Sequence, residues 1–161
     1  MWKYTEVNAY DSISLHDCKT DHIQIVENDL LIHFPDGFWL TPVSKYNNHE
    51  SPIKTGPAQL RFIGLDAVSV IDSIDLYKTT YLFRKPILCR RIQPEIADFL
   101  KHINDGKHEL EFLCEYHNAI SALYECWVWK KNYGMEAECQ LELTVKNVEY
   151  YWNEIHQDRK W

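Results

Sequence analysis

The chain has 161 residues, 45% hydrophobic, 25% charged and 14% aromatic, which is ordinary for a globular protein and long enough for one sizeable core. Five Gly and six Pro exclude collagen-like and linker-rich classes. A formal net charge of −7 opposes general nucleic-acid binding, which needs a positive field to displace phosphate counterions, and would steer the chain towards a basic partner.

Residues 1–80 carry 11 acidic and 6 basic side chains, and residues 81–161 carry 13 and 11, so the acidity is concentrated in the N-terminal half. Met1-Trp2-Lys3-Tyr4-Thr5-Glu6 lacks the apolar run of a signal peptide. No stretch approaches the ~18 consecutive apolar residues of a membrane span. Cys18, Cys89, Cys114, Cys126 and Cys139 form an odd, widely spaced set that reads as reduced thiols, so the cytoplasm is the expected location. Neither nucleic acid nor a membrane is an expected partner, and no cofactor is expected.

The first dense group of polar residues is His16-Asp17-Cys18 with Asp21 and His22. His16 and Cys18, two apart on a strand, would share a face, and His22 would join them only from that face or across a turn. Zinc requires such donors to converge in a tetrahedron, but no Cys-x-x-Cys or His-Glu-x-x-His supports that reading. The plainer reading is a solvated turn with Cys18 in the core. Asp21–Val26 and Leu30–Phe34 flank the polar Glu27-Asn28-Asp29 and predict a hairpin. Pro35-Asp36-Gly37 is a turn signature before Phe38-Trp39-Leu40, with Gly37 supplying a positive φ.

Residues 44–57 are the longest loop-like stretch, too short for a firm domain boundary. One domain over 1–161 is the expected organisation. Strand-like runs follow at Gln59–Ile63, Val68–Ile71, Ser73–Tyr77, Thr80–Phe83 and Ile87–Ile92. Arg84, Lys85, Arg90 and Arg91 place four cations in eight residues just before a helix, a candidate anion site whose plainer reading is surface pairing with local carboxylates.

That helix is predicted over 94–105. Pro94 suits a first helical position, and Ile96, Phe99, Leu100 and Ile103 form one apolar stripe that Gly106 ends. Three alternating runs then predict an antiparallel meander over 108–148, with strands at 108–116, 119–129 and 135–145. In the last, Met135, Ala137, Cys139, Leu141, Leu143 and Val145 are apolar while Glu136, Glu138 and Glu142 line the other face. Cys114, Cys126 and Cys139 occupy the apolar phase of the three strands. Glu109, Glu111 and Glu115 extend the acidic face, and Trp127 and Trp129 belong on or near it. Carboxylates at strand period are what any wet sheet face shows, so catalysis is disfavoured against docking. The two indoles call for a cover, either a second layer or the C-terminal tail, or for a partner.

The fold expected is α+β and mainly β: an antiparallel curled sheet, a two-layer sandwich or an open barrel, with one principal amphipathic helix. The run from Leu15 to Leu40, LHDCKTDHIQIVENDLLIHFPDGFWL, with Tyr124-Glu125-Cys126-Trp127 and Tyr151-Trp152-Asn153-Glu154-Ile155, resembles small bacterial β-rich proteins of the immunity-protein kind. The resemblance covers about a third of the chain, carries no transferable residue role, and implies binding rather than chemistry. The expected function is a non-enzymatic interaction protein that binds a basic protein through Trp127, Trp129, Glu136, Glu138 and Glu142. The alternative is a small-molecule-binding or metal-dependent hydrolytic protein with a pocket between sheet and helix, using His16, Asp17, His22 or His33.

Overall fold

The computed structural model describes residues 1–66 and 68–161. Fourteen strands and one helix are found among them. Short strands β1 (Tyr4–Val7), β2 (Ile13–Ser14) and β3 (Cys18–Thr20) precede the expected hairpin of β4 (His22–Val26) and β5 (Asp29–Phe34). Strands β6 (Trp39–Leu40) and β7 (Ile53–Thr55) bracket most of the long loop. Next come β8 (Ala58–Gly64), β9 (Ile71–Leu82) and β10 (Lys85–Ile92), the helix α1 (Ile96–Asn104), and the meander β11 (His108–His117), β12 (Ser121–Lys130) and β13 (Gly134–Trp152). Strand β14 (Ile155–Lys160) follows. The fold is mainly β and antiparallel, with the single helix where the apolar stripe placed it.

Ten strands form one sheet whose main path runs β3-β11-β12-β13-β8-β5-β4. Its two ends, β3 and β4, are consecutive in the chain with only Asp21 between them. The sheet therefore curls until its ends meet, yet they do not pair and no barrel closes. Thr20 bridges the gap, its hydroxyl lying 2.7 Å from the carbonyl of His33 on β5 and 3.1 Å from that of His22. A second sheet has the order β14-β7-β6-β2, and Phe38, just before β6, packs against Tyr150 and Trp152 of β13. Inside the curl, Phe34 of β5 meets Phe112 of β11 across the interior, and Tyr124 meets both Phe62 and Phe112, all in edge-to-face contacts. Such rings bury large areas and fix each other's orientation. Among the described residues no helix is long and apolar enough to cross a membrane.

Strand β13 organises the sheet. Along residues 138–143 it pairs with both β12 and β9, and along 149–152 with both β8 and β1. Its buried positions are odd through Val145 and even from Val148 to Trp152. The register shifts between Val145 and Asn147, and the extra residue turns the strand over. The expected strand ended at 145 because its alternation does; the chain in fact remains in the sheet to Trp152. Val68–Val70 is not strand, and the two runs expected over 73–83 form the single strand β9.

Two further bulges change which side chains face inward. In β11 the register shifts between Phe112 and Cys114. Cys114 and Tyr116, expected in the apolar phase, are therefore exposed, while Glu115 and His117 are largely buried. In β13, Trp129 lies opposite Met135 and Val128 opposite Ala137, which leaves Glu136 as the extra residue. Glu136 turns towards the helix and leaves the stripe of Glu138 and Glu142.

Candidate functional site

The outer face of the meander is built by register. Lys19 on β3, Glu111 on β11, Trp127 on β12, Glu138 on β13, Tyr77 on β9 and Arg91 on β10 are successive cross-strand partners. In the adjacent row Glu109 faces Trp129. The indoles of Trp127 and Trp129 meet edge to face at 5.9 Å, and the Trp129 N–H donates to the Glu111 carboxylate. Lys19 holds its ammonium 5.1 Å from the Trp129 ring and 3.6 Å from Glu109. Glu138 and Glu142 are exposed, the latter accepting from the Ser73 hydroxyl at 3.0 Å. Tyr77, Leu113, Glu125, Trp127, Glu138 and Gln140 bound a groove of about 210 Å³ on this face.

The two indoles are half-buried, with Lys19 over Trp129, and among the described residues the C-terminal tail does not stack on them. The C-terminal Trp161 stacks instead on Trp39 at 5.5 Å and on His16 at 5.0 Å. An edge-to-face aromatic pair flanked by Glu109, Glu111, Glu125 and Glu138, with Glu142 further along β13, can accept a cationic side chain beside the rings, with carboxylates to neutralise it.

The N-terminal polar group does not assemble. Cys18 is buried with its sulfur 3.2 Å from the Lys54 ammonium, and burial pushes its thiol up to about 11 against the opposing pull of Lys54. His16 bonds the Leu113 carbonyl at 2.6 Å, while His22 is exposed and lies opposite His33, which pairs with Asp21 at 2.8 Å. Among the described residues no three His, Cys, Asp or Glu side chains converge as a metal's ligands would. The turn at Asp36-Gly37 is structural: Gly37 has φ +72°, and a Cβ there would lie 2.2 Å from the Gly56 carbonyl oxygen.

The four cations also separate. Arg91 forms a two-pronged ion pair with Asp75, both contacts at 2.7 Å, and holds that carboxyl below its ordinary range. Arg84 sits in the turn of the β9–β10 hairpin, and Lys85 and Arg90 lie on the exposed strand β10. They are not gathered at the start of α1.

The bulges assemble two groups that strand alternation hides. Between α1 and the sheet lies a cavity of about 190 Å³ with Leu76, Phe99, Val128 and Ala137 in its walls. There Glu136 binds the Lys78 ammonium and lies 2.7 Å from His108, whose ring packs edge-on against His102. Burial pushes the Glu136 carboxyl up, but Lys78, His108 and Lys130 more than offset this and hold it below its ordinary value. At the other bulge, His117 lies between Glu115, at 3.4 Å, and the Tyr124 hydroxyl, at 3.5 Å, with Tyr10 stacked on its ring. Burial pushes the phenols of Tyr124 and Tyr150 well up. A cavity of about 50 Å³ beside Glu115 and Tyr124 is water-sized, while His117 also lines an open cleft of about 410 Å³ with Asp72, Asn118, Ser121 and Glu142. Three apolar residues in succession, Phe112-Leu113-Cys114, were the visible sign that alternation breaks at this point.

Comparison with protein-family models, with curated proteins and with solved structures gives no match to this chain.

Proposed function

We propose that the protein acts by binding a basic protein partner through the outer face of the meander, without catalysis. The observation that carries this is the half-buried Trp127, set between Glu111 and Glu138 in one cross-strand row and edge to face with Trp129. Rigid aromatic anchors flanked by charge are the composition of binding hot spots. An Arg or Lys of the partner would lie over Trp127 in the groove beside Glu125 and Glu138, while the net charge of −7 speeds its approach. The core-facing Glu136 takes no part; Trp127, Trp129, Glu138 and Glu142, joined by Glu109, Glu111 and Glu125, make the face. Five unpaired cysteines suit a reducing cytoplasm, and the immunity-like resemblance suits a role in masking a basic target.

Replacing Glu138 and Glu142 with Lys should leave the fold intact, since exposed strand positions tolerate charge changes. It should weaken the partner at least about tenfold, roughly 1.4 kcal/mol. Affinity unchanged by that double substitution would remove the site from this face.

A second reading is favoured by one observation, the bulge that delivers Glu136 into the cavity between sheet and helix beside Lys78 and His108. The chemistry there suits a small polar-headed molecule with an apolar body. His16, Asp17, His22 and His33 lie outside that cavity, so it would be a binding site and not the hydrolytic centre expected from them. Ligand-induced stabilisation lost in Glu136→Ala would identify it.

A further inference from the structure

The hairpin of β9 and β10 is an arm. β9 pairs with β13 only through Tyr77, after which the hairpin continues with β10 paired to β9 alone. Leu82 pairs with Lys85 across a two-residue turn in which Phe83 has φ 48° and Arg84 φ 64°. Such a turn favours Asn-Gly, because residues with a Cβ are strained at positive φ. Here Phe and Arg occupy it, and Phe83 is 91% exposed. A large apolar side chain held in a strained turn and buried against nothing needs a reason outside the monomer's stability.

The register sets a second turn towards the same end of the sheet. Tyr77 lies opposite Glu138 on antiparallel strands, so β9 runs on past Tyr77 towards the end of the sheet from which β13 starts. The β12–β13 turn therefore projects from the same end of the molecule. It carries Lys130, Lys131 and Tyr133, the last 81% exposed. Lys78 of the arm binds Glu136 next to that turn, and the Lys131 amide bonds the Lys107 carbonyl, which ties the end of α1 to the same region. Arg84, Lys85, Lys130 and Lys131 form no ion pair among the described residues.

We propose that this end docks on an anionic lipid surface, with Phe83 and Tyr133 entering the headgroup region and Arg84, Lys85, Lys130 and Lys131 meeting lipid phosphates and carboxylates. Aromatic tips with cations just behind them match the two layers of a membrane interface, and the apolar residues stand out as fingers rather than lining a groove for a folded partner. Surface docking needs no spanning helix, and it departs from the expectation that the chain meets no membrane. A second copy does not fit the arm. Two arms paired along β10 would bring like charges together, and Pro86 and the irregularity after it block a continuous edge. The protein's overall negative charge then orients it, because at physiological salt screening confines the attraction to the basic end.

The test is co-sedimentation of the full chain with phosphatidylcholine vesicles, with and without phosphatidylserine. Binding should require phosphatidylserine and weaken with added salt. Arg84→Glu with Lys85→Glu should reduce it by at least roughly thirtyfold, about fivefold for each cation removed. Phe83→Ser should weaken binding at unchanged salt dependence, and Glu138→Lys with Glu142→Lys should not weaken it. No binding to phosphatidylserine vesicles, or equal binding by the Arg84/Lys85 variant, would overturn the proposal. So would arm variants that keep vesicle binding but lose a protein partner, since the arm would then belong to that interface.

Discussion

Asn104, the last residue of α1, engages the backbone of Ile23 as a neighbouring strand would. It donates its side-chain amide to the Ile23 carbonyl and accepts from the Ile23 N–H, both at 2.8 Å. Ile23 lies in β4, the end strand of the sheet path, so one amide occupies two edge groups that would otherwise seek water or another chain. Asn104→Ala should lower unfolding free energy by about 1–2 kcal/mol, because both partners lose a hydrogen bond at once. Chemical denaturation measures this, and faster amide exchange at Ile23 should accompany it.

The thiols should divide by the bulges. Cys126 and Cys139 are direct cross-strand partners in the core, and burial pushes the first well up and the second up to about 12. Cys18 is likewise buried and raised. Cys89 and Cys114 are exposed. In the native protein at mildly alkaline pH, alkylation should therefore label Cys89 and Cys114 quickly and the other three only on unfolding. Mass spectrometry after a short pulse distinguishes this from the pattern the alternation implies, in which Cys114 would be protected.

Acid should loosen the base of the arm. Arg91 holds the Asp75 carboxyl below its ordinary pKa, so the stability this contributes is present above about pH 4 and is lost as pH falls through the lowered value. Wild-type protein should lose thermal stability over that acid range more steeply than Asp75→Asn, which has no group to titrate there. Thermal melts across the range provide the comparison.

Where side chains strictly alternate, the sequence is a good guide. The meander, the β4–β5 hairpin and the α1 stripe are readable because each has one wet and one dry face. A bulge adds a residue without altering composition, so Glu136 reads as part of a stripe with Glu138 although it faces Lys78 and His108. Glu115 and His117 are lost to view for the same reason. Strands of two or three residues such as β2 and β7 are too short to show a period at all, and Trp39 and Trp161 meet only through the chain's return at β14. The face bearing Trp127, Trp129, Glu138 and Glu142 was legible, because no bulge intervenes between Trp127 and its partner Glu138. That Trp161 would stack on Trp39 and not over those indoles depends on long-range packing that no local pattern records.

Whether Trp127 anchors a partner on the outer face is read most directly from the dissociation constant of an identified basic partner for Trp127→Ala by titration calorimetry. Trp127 is half-buried and packs on Trp129, so the substitution should lower the melting temperature modestly without unfolding the protein, and melts run alongside separate that loss from the loss of binding. A hot-spot anchor should weaken binding by at least about 2 kcal/mol, roughly thirtyfold. Affinity within about twofold of wild type, a difference of roughly 0.4 kcal/mol, would contradict the account.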